Sequence, residues 1–273
     1  MIDALFLHGS VALFALATIL GFAGVRSNRR GLIAASRAAS IAAVLALGFL
    51  LLRHGLATRT FPVGNRFDTQ LFSCAILAIL AIAIDLVRNL PVLSVGAAPF
   101  CFMAVLIAAT LGQPTTGGVV APASPLVGLH IVATLVAYGL FALAFLAGLL
   151  YLVEQRQLKT GGSTLILGFM PSLETFYKLL VNSLTLGVAL LTLGTVVGYL
   201  FARKQDLPPG WRTDPKVLLT TVTWVAYLAV LGLALAPGFK GRRTALAAVG
   251  CFVFVMCTLW AAAFWGGFHQ YGR

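Results

Sequence analysis

The stretch VGLHIVATLVAYGLFALAFLAGLLYLV, residues 127–153, holds 27 residues without one Asp, Glu, Lys or Arg. As an α-helix it spans about 40 Å, more than the ~30 Å of hydrocarbon in a bilayer. Its apolar residues run on without alternation, so a strand with one wet face is excluded. A helix also satisfies every backbone group within itself, as lipid demands.

Runs of this kind recur outward in both directions. Eight spans are predicted, at about 3–25, 31–52, 69–87, 90–111, 127–153, 179–202, 217–237 and 244–266. Sixty per cent of the 273 residues are apolar and only 10% are charged, with a mean hydropathy of +1.00. A soluble domain of this length keeps far more charge on its surface. The expected fold is therefore all-α, a polytopic transmembrane helix bundle. No internal repeat is visible, and residues 1–273 read as a single membrane domain. The first run follows Asp3 and lacks a basic leader, so it is expected to be a retained span.

The formal charge of +12 sits almost entirely in the loops, where Lys and Arg orient helices and meet lipid headgroups. Nucleic acid is not an expected partner. With eight spans both termini share a face. Loops at 26–30, 88, 154–178 and 238–243 carry 10 basic residues; the opposite loops and Arg273 carry 8. The positive-inside rule makes the first set cytoplasmic and both termini extracytoplasmic.

Four cysteines, Cys74, Cys101, Cys251 and Cys257, all lie in apolar runs. No C-x-x-C occurs, which excludes a dithiol motif, and no C-x-x-C-H, which excludes covalent haem attachment of the c type. No nucleophile–base pair, phosphate loop or metalloprotease motif points to a conventional hydrolase or transferase.

The four histidines, His8, His54, His130 and His269, all fall at the same predicted face. A boundary histidine can be simply interfacial, with one wet nitrogen. Neutral imidazoles at the ends of packed helices can also ligate a metal, haem iron above all. His130 opens its span two turns before Tyr138. His269 lies in Gly267-Phe-His-Gln-Tyr-Gly272, behind Trp260, Phe264 and Trp265, whose flat apolar surfaces suit a porphyrin. Arg203, Lys204, Arg212 and Lys216 sit where they can hold haem propionates or, equally, lipid headgroups.

Other polar residues have simpler readings. Arg37, within span 2, is expected to snorkel to the nearby headgroups. Asp85 is expected to pair locally with Arg88, one turn on. Asp214-Pro215 reads as a helix start.

These residues resemble the cytochrome c assembly family, haem-handling membrane proteins of the CcsA and HemX type. Pro171-Ser-Leu-Glu-Thr175, with the leucines that follow to Gly194, is similar to the family's Leu-Glu-Thr segment and its next span. His130 with Tyr138 matches a Leu-His span entry, Gly267–Gly272 a closing Gly-Leu-His-Ser-Tyr-Gly, and Phe61–Asn65 a Phe-Pro-Leu-Ser-Asn segment. The resemblance implies that His130 and His269 are the outer axial ligands of a haem b and that the protein lies in the bacterial cytoplasmic membrane or its equivalent. It also implies that Trp211 and Arg212 belong to the haem-presenting loop and that Tyr138 contributes to the haem site. Of the family's tryptophan-rich loop only Trp211-Arg-Thr-Asp-Pro-Lys216 and then Trp224 are present. Gly232 and Thr60 stand where the family carries further histidines.

Three functions follow as expectations. The first is haem delivery in cytochrome c maturation, as a carrier or haem-lyase component rather than a self-sufficient enzyme. Its partners would be lipid, haem, a membrane partner subunit and apocytochrome c. The second is a b-haem subunit of an electron-transfer complex, favoured by the shortened tryptophan loop. The third is a HemX-like regulator of tetrapyrrole synthesis.

Overall fold

The computed structural model describes residues 2–58, 66–111, 125–160, 171–204 and 213–264. Among these described residues eight helices follow in order: α1 (Ile2–Ser27), α2 (Arg30–Thr58), α3 (Arg66–Arg88), α4 (Pro91–Leu111), α5 (Pro125–Thr160), α6 (Leu173–Lys204), α7 (Pro215–Leu235) and α8 (Arg242–Phe264). Among the described residues there is no strand, and α1 to α7 are each long and apolar enough to cross a membrane. Helix α8 coincides with the eighth expected span. Large apolar side chains such as Leu5, Ile19, Leu45 and Leu56 stand exposed on the helices. In water that surface would drive aggregation; in lipid it is the natural exterior. The protein is an integral membrane protein.

Helix ends run beyond the apolar windows. Helix α5 continues past Glu154 to Thr160, and α6 begins at Leu173 rather than near 179. Apolarity marks the depth of hydrocarbon, whereas good helix formers such as Glu, Gln and Lys prolong a helix into the headgroups. In the first turn of α6, Glu174 pairs with Lys178 at 2.7 Å, both well exposed. Helix α7 starts as expected at Asp214-Pro215, with the Asp214 carbonyl accepting the Leu218 N–H at 3.0 Å.

The chain divides into two compact units, residues 1–120 with 153–173, and residues 121–152 with 174–273. In the first unit α1 packs on α2 and α4, and α3 packs on α4 and α2. The α1–α2 and α3–α4 turns each place an asparagine in the left-handed region, Asn28 at φ 54° and Asn89 at φ 52°. The N–H of the next residue then closes on a helix carbonyl, Arg29 on Gly24 and Leu90 on Asp85. Gly21 brings α1 close enough that a Cβ there would lie 2.9 Å from Ser36 Oγ. Ser36 Oγ in turn donates to the Ala17 carbonyl at 2.6 Å. Phe14, Leu47, Leu50, Leu71, Cys101 and Val105 form the buried core.

Two expectations are corrected in this unit. Arg37 does not snorkel, and Asp85 does not pair with Arg88. The Arg37 guanidinium forks onto the Asp85 carboxylate, Nε to Oδ2 and Nη2 to Oδ1, both at 2.9 Å. Ser94 Oγ donates to the same carboxylate, which is fully buried. A planar two-donor fork matches a carboxylate better than a headgroup does when the carboxylate has no water.

In the second unit α5 is held by rings and glycines. Phe141 stacks on Tyr227 with centroids 3.6 Å apart, and its ring occupies the space a Cβ on Gly187 would need. Phe145 stacks on Phe252 at 4.6 Å. Gly148 faces Leu180, Ala245 and Val249. Two polar ties cross the helices: Tyr177 Oη donates to the Ala234 carbonyl at 2.9 Å, and Trp224 Nε1 donates to Thr192 Oγ1 at 2.8 Å.

Candidate haem-ligand site

The His130 ring stands in the first two turns of α5, half-buried against α6. Two glycines of α6 make that fit possible. A Cβ on Gly198 would lie 2.7 Å from His130 Nδ1 and 2.8 Å from its Cε1, and one on Gly194 would lie 2.6 Å from Thr134 Oγ1. With neither Cβ present, His130 Nδ1 reaches the Gly194 carbonyl at 2.7 Å. A carbonyl only accepts, so Nδ1 carries the proton in this pair. Nε2 is then the nitrogen with an open lone pair, the form a metal requires. Among the described residues Nε2 has no hydrogen-bond partner. Thr134 Oγ1, donating to the His130 carbonyl at 2.7 Å, fills the rest of the cleft.

Tyr138 is on the same helix, about 12 Å further along its axis. Its hydroxyl is buried in the second unit, beside Thr220 and Thr223. Its ring meets Phe141 edge-on at 6.3 Å. The structure does not bring it beside the His130 ring. Trp211, Arg212 and His269 lie outside the described residues, as do Phe61–Asn65 and Thr60.

The remaining histidines belong to the first unit. His8 is exposed on α1. His54 Nδ1 is 2.8 Å from Asp68 Oδ1, joining the end of α2 to the start of α3, with Arg53 bonded to Asp3 at 3.2 Å alongside. Among the described residues no group of three or more His, Cys, Asp or Glu could hold a metal ion.

Sequence reasoning named His130 as a candidate and did not anticipate the glycines it packs against. The signal was present: Gly194-Thr-Val-Val-Gly198 is a small-xxx-small spacing within an apolar helix, the pattern that lets two membrane helices approach closely.

Fold and site together define a polytopic α-helical membrane protein with a histidine seated against a glycine groove at a helix entry. The family described as cytochrome C assembly protein matches residues 4–269, and the chain belongs to that family. Similar proteins include a cytochrome c biogenesis protein CcsA of Prochlorococcus marinus (strain MIT 9313). The two are 25% identical, over 87% of this chain and 85% of the other. A protein of the same name from Guillardia theta is 26% identical over 85% and 84%. Another, from Synechococcus sp. (strain RCC307), is 33% identical over a shorter match, 44% of this chain and 39% of that protein. Membership ties the chain to cytochrome c assembly.

Proposed function

We propose that this protein handles haem for cytochrome c maturation, holding haem b at the extracytoplasmic face with His130 and His269 as axial ligands. The observation that carries the proposal is the 2.7 Å bond from His130 Nδ1 to the Gly194 carbonyl, which leaves Nε2 presented as a ligand nitrogen. Such an outer hydrogen bond is the usual companion of a metal-ligating histidine, because it fixes tautomer and ring plane and raises basicity. Haem, when bound, would supply an iron that exchangeable histidine ligands can hold and release.

The chain's own residues do the rest. His130 is held in place from α6, and His269 would supply the second imidazole. Trp211 would offer the porphyrin a flat apolar surface, and Arg212 would neutralise a propionate. Residues 1–273 work as one membrane domain, in the bacterial cytoplasmic membrane or its equivalent. Its partners are lipid, a membrane subunit of the assembly machinery and apocytochrome c, the acceptor of the haem.

The test is the visible spectrum of the detergent-purified protein, oxidised and dithionite-reduced. Wild type is expected to show a low-spin b-type spectrum that collapses in His130→Ala and in His269→Ala. A colourless protein after haem is supplied would overturn the proposal.

A second reading, a fixed b-haem subunit of an electron-transfer complex, is favoured by one feature. Only Trp211 and Trp224 remain of the tryptophans the family carries around its haem-presenting loop. Extraction by apomyoglobin separates the two: a haem in transit is lost to it, and a permanent one is retained.

A further inference from the structure

We infer that Gly198 and the Gly194 carbonyl of α6 are positioning residues that set the tautomer and ring plane of His130. This inference rests on the haem-handling reading for its consequence, although the positioning itself is a property of the ligand-free protein.

Gly198 is a place where a single methyl group decides the geometry. An alanine Cβ there would stand 2.7 Å from His130 Nδ1, 2.8 Å from Cε1 and 3.4 Å from Cγ. The first two separations are shorter than real Cβ contacts, so something must move. Both nearest atoms belong to an imidazole that turns about two side-chain bonds, whereas α5 itself is pinned by packed rings. The least costly relief is to swing the ring away from α6. That motion pulls Nδ1 off the Gly194 carbonyl. Once free of that acceptor the ring has no reason to keep its proton on Nδ1. A neutral histidine side chain in water carries its proton more often on Nε2 than on Nδ1, so Nε2 is then protonated in most molecules and cannot ligate while it is.

Gly194 acts differently. Its missing Cβ admits Thr134, whose Oγ1 would otherwise stand 2.6 Å from it, and the close approach brings its carbonyl within reach of the imidazole. The pair thus divides the work, Gly194 providing the acceptor and Gly198 the clearance.

Gly187 supplies the control. Its Cβ would overlap the Phe141 ring at 2.5 Å, on the same two helices but well away from His130. Gly187→Ala strains the α5–α6 packing without touching the imidazole.

Two measurements test the inference. The first uses haem-free protein labelled with ¹⁵N at histidine, the His130 signals being assigned by their loss in His130→Ala. Wild type and Gly187→Ala are expected to show a protonated Nδ1 and an unprotonated Nε2, and Gly198→Ala a mixed or reversed pattern. The same tautomer in wild type and Gly198→Ala, or a protonated Nε2 in wild type, would overturn it. The second is haem affinity with the visible spectrum. Gly198→Ala is expected to bind about tenfold or more weakly, the usual loss when an outer-sphere partner of a ligand is removed, with a high-spin fraction. Gly187→Ala is expected to match wild type. Equal losses in the two variants would reduce the effect to helix packing and overturn it. If His130→Ala leaves the haem spectrum unchanged, the haem reading fails and the tautomer measurement alone decides the positioning.

Discussion

Arg37 and Asp85, 48 residues apart, meet as a two-pronged ion pair joining α2 to α3, each contact 2.9 Å. Asp85 is wholly buried and Arg37 about a quarter exposed. Removing the cation alone leaves a carboxylate stranded among apolar side chains with only Ser94 for company. Arg37→Ala is expected to cost about 3–5 kcal/mol. The double replacement Arg37→Ala, Asp85→Ala is expected to recover much of that, because no charge is left unpaired. Thermal unfolding in detergent of the two single variants and the double completes a cycle. Additive losses would show that the two groups do not support each other.

The asymmetry of the Trp224–Thr192 bond gives a second expectation. Thr192 Oγ1 both accepts from the indole and donates to the Val188 carbonyl. Trp224→Phe removes a donor and leaves Thr192 still bonded, at a cost of about 1 kcal/mol. Thr192→Val instead strands the indole N–H and costs about 1–3 kcal/mol. The emission maximum of Trp224 should shift in Thr192→Val. Identical stability in the two variants would argue against the bond.

The tight fit of Phe141 over Gly187 gives a third. The phenyl ring is clamped between Gly187 and the parallel ring of Tyr227, so an added methyl cannot be accommodated by a small turn. Gly187→Ala is expected to lose about 1–3 kcal/mol by overpacking. Adding Phe141→Leu should return part of the loss, read as the shift in unfolding midpoint. No recovery would place the strain elsewhere.

The sidedness carried by the loops gives a fourth. Ser27, exposed at the end of α1, lies on the face whose loops hold the larger share of basic residues. In a chain otherwise free of cysteine, Ser27→Cys is expected to react with an impermeant maleimide only after the cells are opened. Labelling of intact cells would reverse the topology.

The spans were legible because burial in lipid demands the same apolarity at every turn, and a window of residues 127–153 declares itself whatever its neighbours are. Helix ends were not: Glu154 to Thr160 is helical yet polar, Leu173 to Lys178 is helical with charged and apolar residues mixed, and hydropathy does not register a helix outside hydrocarbon. The pairing of Arg37 was hidden for another reason. Arg88, one turn from Asp85, was the obvious partner along the chain, and only the packing of α2 on α3 determines that Arg37 meets Asp85 instead. His130 was conspicuous as a rare residue at a helix entry. Gly194 and Gly198 were visible as a spacing, but nothing in one chain's sequence says which side chain a glycine groove receives.

Chemical rescue tests the central claim, ligation of haem by His130, most directly. His130→Gly removes the imidazole and keeps the Gly194 and Gly198 cleft that received it. The account predicts that this variant loses the low-spin haem spectrum and regains it when free imidazole is added. A low-spin spectrum identical to wild type in His130→Gly without imidazole would contradict it.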